Sequence, residues 1–163
     1  MNPTGDGAAK VWDFINLSGI LLACLTVGYV GSLANSVGMD WYNTLIKPPG
    51  TPPGWLFGAA WSILYFLMAF SAWLVSRSLH DKRSLLLTIF SLQLIANLTF
   101  SFLFFALRSP LAGFVNIVVL TLLVALYFVL SRPVSKLASY LFLPYLLWLF
   151  YAAYLNLGVL LLN

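Results

Sequence analysis

The sequence predicts an all-α integral membrane protein in which one domain, residues 1–163, forms a bundle of five transmembrane helices. Of the 163 residues, 62% are hydrophobic and only 7% are charged, whereas soluble domains carry about 25% charged residues. The apolar residues also fall into five runs of about the ~20 residues that a helix needs to cross the hydrocarbon core. The runs lack the alternation of a membrane barrel strand, so helices are expected.

The first predicted helix, Trp12–Leu33, follows a short polar start that contains Lys10. A secretory signal is the alternative, but the length of the run, its internal glycines, and Asp6 and Asp13 before or at its start favour a retained helix. Short turns with basic residues separate most of the later runs. The other four helices are predicted at Trp55–Ser76, Leu85–Leu107, Leu111–Ser131 and Leu137–Leu162.

The connection between the first two helices, Lys47 to Gly54, contains four prolines, Pro48, Pro49, Pro52 and Pro53. Proline lacks a backbone donor and fixes φ, so this segment is excluded from a helix or a central strand and is expected to form a stiff, folded loop. Tryptophans flank it on both sides. We therefore predict that the loop is a lid over a ligand entrance.

The net charge of +4 comes from basic residues that stand singly or in short turns. This spacing does not favour nucleic-acid binding, which requires clustered phosphate contacts. Six basic residues lie at the N-terminus and in the second and fourth loops, and two in the first and third. The positive-inside rule then predicts a cytoplasmic N-terminus, with the first loop and the C-terminus outside.

Groups for acid–base or metal chemistry are scarce in this chain. The four acidic residues lie at or outside the ends of the predicted helices, so a buried carboxylate pair is not expected. His80 lies in a basic turn and is expected to be solvated, and Cys24 is a single mid-helix cysteine, expected to be a small buried residue. No metal site is predicted, and catalytic residues stay unknown.

Aromatic and amide side chains are the notable groups within the helices. Trp61 and Tyr65 share a helix face, Gln93 and Asn97 share another, and Trp148 has the small Ala152 one turn away on a third. The tryptophans either line a pocket or pack in the core, and the residues alone favour packing. The amides either join helices or face a cavity.

Three blocks of sequence together resemble the TspO/MBR family of tryptophan-rich sensory proteins and translocator proteins. The first block runs from Trp41 to Met68 and contains Lys47-Pro48, Pro52-Pro53, Trp61 and Tyr65. The second comprises Gln93-Leu94, Asn97 and Phe104-Phe105, and the third Leu143-Pro144-Tyr145, Trp148, Ala152 and Leu155-Asn156. The likeness extends from about Ser32 to Asn156.

The resemblance implies a receptor or sensor that binds porphyrins, such as protoporphyrin IX or haem-like tetrapyrroles, and isoquinoline or benzodiazepine-type ligands. The porphyrin would be a ligand, and no cofactor is implied. With the resemblance, pocket contact is favoured for Trp61 and Trp148. The implied pocket residues are Ser32 at the end of the first helix, Tyr42 and Pro52 in the loop, and Trp61, Tyr65, Asn97, Tyr145, Trp148 and Ala152 in the later helices.

Two positions depart from the family pattern, since Phe100 replaces a frequent tryptophan and Gly50 a frequent loop aromatic. No basic residue follows Lys136, so the cholesterol pattern of animal members is missing and a bacterial-type member in the cell membrane is expected. Small residues on the first helix allow either a homodimer or packing within the bundle. Two other functions stay open, namely light- and oxygen-dependent porphyrin degradation involving Trp61 and Trp148, and tetrapyrrole transport.

Overall fold

Within residues 3–163 the chain forms five long helices joined by short loops. The computed structural model describes the backbone of residues 3–163, the exposure of Gly7 and the side chains of residues 10–163. The predicted role of the Asp6 side chain lies outside the described residues. The helices are α1 (Pro3–Thr44), α2 (Gly54–Ser76), α3 (Arg83–Ser101), α4 (Pro110–Ser131) and α5 (Lys136–Leu162), and a π-helical turn (Phe102–Ala106) continues α3. All five are long and apolar enough to cross a membrane. The predicted all-α, five-helix membrane fold is confirmed.

Helix α1 is longer than predicted at both ends. It was expected to begin at Trp12 with the apolar run, but it begins at Pro3, since the polar residues before Trp12 end the apolar run without ending the helix. It was expected to end at Leu33, where the apolar run stops, but it continues to Thr44 because no residue that breaks a helix occurs before Pro48. Hydroxyl groups in this polar stretch donate back to the helix, for example from Ser36 Oγ to the Leu33 carbonyl at 2.7 Å. The prediction that Tyr42 lies in the loop is therefore wrong, since Tyr42 lies in the last turn of α1.

Ser32 is corrected for the same reason. It was placed at the end of the first helix, but it lies about three turns before that end. The connecting loop is correspondingly short and spans residues 45–53. Gly54, which was assigned to the loop, is the first residue of α2.

The π-helical turn widens the helix at the C-terminal end of α3. The Leu107 N–H donates to the Phe102 carbonyl at 2.8 Å, five residues back, and Arg108 with φ 52° then ends the helix. Gly38 of α1 lies against this turn so closely that a Cβ built there would be 2.2 Å from the Phe105 carbonyl oxygen. The close contact between α1 and the π turn thus requires a glycine.

Successive helices run in opposite directions, and α5 packs against both α2 and α4. Side-chain bonds from Asn163, at the end of α5, to the backbone of Ile46 show that the first loop and the end of α5 lie at one end of the bundle. We call this the loop end. At the opposite end, Arg77 forms an ion pair with Asp13 at 3.0 Å. The core between the two ends is built from residues such as Met68 and Phe142, which are fully buried.

Candidate ligand site

Two tryptophans meet at the loop-end half of the bundle. The rings of Trp61 on α2 and Trp148 on α5 lie edge to face, with centroids 6.4 Å apart and planes at 83°. Trp61 also lies 5.6 Å from Tyr65 and 5.9 Å from Tyr145, measured between ring centroids. The four rings fill the space between α2 and α5, so a flat ligand that enters here has to part them.

A chain of hydrogen bonds lies beside the tryptophan pair and joins three helices. The Tyr65 hydroxyl donates to Asn97 Oδ1 at 2.8 Å, and Asn97 Nδ2 donates to the Tyr145 hydroxyl at 2.9 Å. All three side chains are buried. In the apolar interior an unpaired amide or hydroxyl would be costly, so these bonds fix the relative positions of α2, α3 and α5.

The Trp148 indole provides a hydrogen-bond donor that is not used within the described part of the chain. Its Nε1 is buried and has no hydrogen-bond partner there. A buried N–H without an acceptor is unfavourable, because its solvation is lost and nothing replaces it. The site therefore offers a donor to a ligand that carries an acceptor atom.

Helix α1 closes one side of the site. A Cβ built at Gly28 would lie 2.6 Å from Tyr65 Cε2, so the backbone of α1 is in direct contact with this ring. Ser32 lies one turn beyond Gly28 on the same face, but its side chain is exposed and its hydroxyl donates to the Tyr29 carbonyl at 2.7 Å. Ser32 is thus next to the cluster along α1 without being buried in it.

The proline-rich loop is held over the C-terminal end of α5 by two tyrosines. The Tyr151 hydroxyl donates to the Gly50 carbonyl at 2.6 Å, and the Tyr154 hydroxyl donates to the Pro49 carbonyl at 2.9 Å. Gly50 has φ 82°, a left-handed conformation that favours glycine, which explains why an aromatic residue is absent here. Pro52 is half-buried in this loop.

Tyr42 belongs to a second aromatic group. Its ring centroid lies 6.1 Å from that of Phe104 and 5.5 Å from that of Phe105, and Lys47 Nζ lies 4.5 Å from its ring centroid. Phe100, the other departure from the family pattern, stacks on Phe104 with centroids 5.5 Å apart. This group packs α1 against the π turn.

The structure therefore brings together five of the nine predicted site residues in one set of contacts, namely Trp61, Tyr65, Asn97, Tyr145 and Trp148. Ala152 is half-buried one turn beyond Trp148, whereas Ser32 is exposed on α1, Tyr42 belongs to the second aromatic group and Pro52 lies in the loop. Their role as ligand contacts stays a prediction.

Sequence reasoning missed two groups at this site. Phe57 lies 5.8 Å from Trp148 and Tyr151 lies 5.6 Å from it, both measured between ring centroids. Tyr151 and Tyr154 follow Trp148 at intervals of three residues on α5, a spacing that places them near its face. That spacing was a usable signal for the loop contacts.

Gln93 differs from Asn97 although the two were predicted to share a face. Gln93 is fully buried, and neither its Oε1 nor its Nε2 has a hydrogen-bond partner within the described residues. Cys24 is fully buried, as expected of a small apolar residue. Within the described side chains, no group of three or more histidine, cysteine or acidic residues is positioned to hold a metal ion.

The fold and this site define an α-helical membrane protein with an aromatic site beneath a proline-rich loop. Residues 20–162 match the sequence profile of the TspO/MBR family, and the chain belongs to that family. The predicted family is thus confirmed. Over 153 residues it is 41% identical to "Tryptophan-rich protein TspO" of Archaeoglobus fulgidus, which covers 93% of this chain and 99% of the relative.

Two further relatives extend the comparison. Over 133 residues the chain is 33% identical to "Translocator protein" of Ovis aries, with 79% of each protein covered. Over 143 residues it is 32% identical to "Tryptophan-rich sensory protein" of Cereibacter sphaeroides, with 88% of each covered. Together with the five helices, these similarities identify an integral membrane protein.

Proposed function

We propose that this protein is a membrane receptor or sensor that binds a tetrapyrrole, such as protoporphyrin IX, among α1, α2, α3 and α5 under the first loop. The observation that carries the proposal is the Trp61–Trp148 pair beside the hydrogen-bonded Tyr65–Asn97–Tyr145 chain. The names of the relatives, which include a sensory protein and a translocator protein, support a receptor or sensor role.

The physical basis is the match between flat aromatic side chains and a flat macrocycle. Stacking rewards parallel π faces, and burial removes a large apolar area from water. Trp61 and Trp148 lie edge to face in this structure, so binding would turn one or both rings parallel to the macrocycle. Isoquinoline and benzodiazepine-type ligands present smaller flat faces to the same pair.

The loop supports a gated site. Tyr151 and Tyr154 bond to two adjacent residues of the loop, Gly50 and Pro49, and both tyrosines lie on the helix that carries Trp148. Entry from the loop end requires these bonds to open. Because the prolines restrict the backbone, the loop would open and close as one stiff unit with little loss of entropy on closure.

We further propose that the protein lies in a bacterial cell membrane with the loop end outside. Six basic residues lie at the N-terminus and in the two loops at the opposite end, and two lie at the loop end. This asymmetry is the one on which the positive-inside rule depends.

A spectroscopic titration tests the proposed function. Purified protein is titrated with protoporphyrin IX in the dark, with tryptophan quenching and porphyrin absorption as readouts, and is then illuminated. A receptor binds saturably and leaves the ligand unchanged. Trp12→Phe and Trp55→Phe are matched controls, because these tryptophans are 70% and 73% exposed and lie outside the cluster.

The same titration separates porphyrin degradation, and a flux measurement separates transport. Lack of saturable binding in the dark contradicts the proposal. A new absorption spectrum that needs light and oxygen, and that disappears in Trp61→Phe or Trp148→Phe, would indicate porphyrin degradation instead. Porphyrin flux into sealed vesicles that contain the protein would indicate transport.

A further inference from the structure

A groove of about 420 Å³ opens between α1, α2 and α3 in the half of the bundle opposite the loop end. Its lining changes from mainly polar to mainly apolar along its length, and the one hydroxyl in the deeper part, that of Ser91, donates to the Leu87 carbonyl of its own helix. Asn16, Ser76 and Arg83 lie near the end of the bundle, and Gly19, Ala23 and Leu94 lie progressively deeper. The groove is separate from the aromatic site.

The length of the groove matches one leaflet of a membrane. Helices α1 and α3 run in the same direction, and the groove follows α3 from Arg83 to Leu94. This distance is about 16 Å at the rise of an α-helix. Half of a typical hydrocarbon core is about 15 Å. The groove is therefore long enough to extend from the polar boundary of one leaflet to near the middle of the bilayer.

The charge at the mouth of the groove favours an anion. None of the residues that line the groove is acidic. The ion pairs formed by described side chains are Arg77 with Asp13 and His80 with Asp81, so Arg83 is not neutralised by either. Asn16 Nδ2 donates to Ser76 Oγ at 2.7 Å, and both side chains line the same groove as Arg83.

We propose that this groove binds one anionic phospholipid, with its phosphate at Arg83 and an acyl chain along Gly19, Ala23 and Leu94. Basic residues at a membrane surface attract anionic lipids, and an apolar channel of leaflet length accommodates a chain. The basic end of the bundle makes an anionic headgroup the favoured occupant over a second copy of this chain. A second copy would bring another set of basic residues to the same end.

A side chain can begin at Gly19 without meeting the walls of the groove. A Cβ built at Gly19 meets no atom within 4 Å, and Gly19 lines the groove, so the leucine of Gly19→Leu is expected to occupy part of it. Gly58 on α2 also has no atom within 4 Å of a built Cβ, and it lies at the loop end outside the groove. Gly58→Leu is therefore a matched control for the glycine replacement.

The test is native mass spectrometry of protein released from vesicles of phosphatidylglycerol and phosphatidylcholine. The parent protein is expected to retain one phosphatidylglycerol in preference to phosphatidylcholine. Arg83→Gln should lower phosphatidylglycerol retention about fivefold, the effect of one basic residue near an anionic surface. Gly19→Leu should abolish retention of both lipids, and Gly58→Leu should not.

Arg132→Gln is the control for charge, because Arg132 is exposed at the same end but does not line the groove. Equal loss in Arg83→Gln and Arg132→Gln, or full retention in Gly19→Leu, would overturn the proposal. So would a parent dimer that Gly19→Leu converts to monomer without change in bound lipid. Thermal unfolding of each variant reports folding, and protoporphyrin titration tests the aromatic site separately.

Discussion

The hydroxyl of Tyr151 donates a 2.6 Å hydrogen bond to the backbone carbonyl of Gly50, so helix α5 holds the middle of the first loop. The same tyrosine ring lies edge to face against Trp148, with centroids 5.6 Å apart. One side of the proposed ligand site and the anchor of its lid are therefore adjacent groups on one helix. Five measurements test what this arrangement implies.

Replacing Trp61 or Trp148 by phenylalanine tests whether the pair contacts ligand. Phenylalanine keeps an aromatic ring but loses stacking area and the indole N–H. Porphyrin affinity should fall by about 1 kcal/mol per site, measured by fluorescence quenching. Thermal unfolding without ligand should change little. Variants that unfold much earlier yet bind porphyrin like the parent would show that both tryptophans are core residues.

Replacing Pro52 and Pro53 together by glycine tests the stiffness of the lid. The glycine loop has more conformations when open, so closing it over a ligand loses more entropy. The bundle should fold as before, and porphyrin should dissociate faster in a stopped-flow chase. An unchanged dissociation rate in a folded double variant would remove the lid role.

Tyr151→Phe tests the hydrogen bond to the loop. The variant keeps the ring and loses one hydrogen bond of about 1 kcal/mol, so ligand release should accelerate by about fivefold. Tyr140→Phe is the matched control, because Tyr140 also lies on α5 but is exposed near the opposite end. If both variants release ligand at the parent rate, opening of the loop does not depend on Tyr151.

Asn97→Leu tests the hydrogen-bonded chain. Leucine has similar size but leaves the hydroxyls of Tyr65 and Tyr145 without their Asn97 partner, so the free energy of unfolding should fall by roughly 1–2 kcal/mol. Unfolding in mixed detergent micelles measures this change. Ser62→Ala, which removes only an exposed hydroxyl bonded within α2, should have almost no effect. Equal stability of both variants would mean that Asn97 does not fix the three helices.

Gly158→Ala tests how closely the loop sits on α5. A Cβ at Gly158 would lie 2.6 Å from Pro48 Cβ, so the added methyl should displace the loop and increase its proteolysis at Ile46 to Thr51. Gly58→Ala meets no atom within 4 Å and serves as the control, expected to stabilise α2 by about 0.5–1 kcal/mol. Cleavage of Gly158→Ala at the parent rate would contradict the observed contact.

The start and end of most helices followed from the sequence because apolar runs ended at prolines and basic turns. The end of α1 did not, since Asn35 and Ser36 interrupt the apolar run without interrupting the helix. A polar residue changes whether that part of a helix favours water or lipid, but it does not end the helix. A residue such as proline ends it, because proline removes a backbone hydrogen bond. The π turn was also not predictable, because Phe102–Ala106 has ordinary helix-forming residues and its width accompanies contact with Gly38.

The grouping of Trp61, Asn97 and Trp148 in one set of contacts was predictable because the family resemblance fixed these residue types, while their contact with ligand stays a prediction. The loop contacts were harder, because Tyr151 and Tyr154 donate to backbone carbonyls, which have no sequence identity. The difference between Gln93 and Asn97 could not be inferred either, since only Asn97 of the two amides at i and i+4 has hydrogen-bond partners among the described residues.

In the proposed function ligand occupancy and loop position are coupled, because Tyr151, which holds the loop, is in ring contact with Trp148. Linkage makes this coupling reciprocal. If bound ligand changes the affinity of the loop for another molecule by some factor, that molecule changes the affinity for the ligand by the same factor. A partner that binds the exposed surface near Gly50 would thus act as an effector of the buried site without entering it.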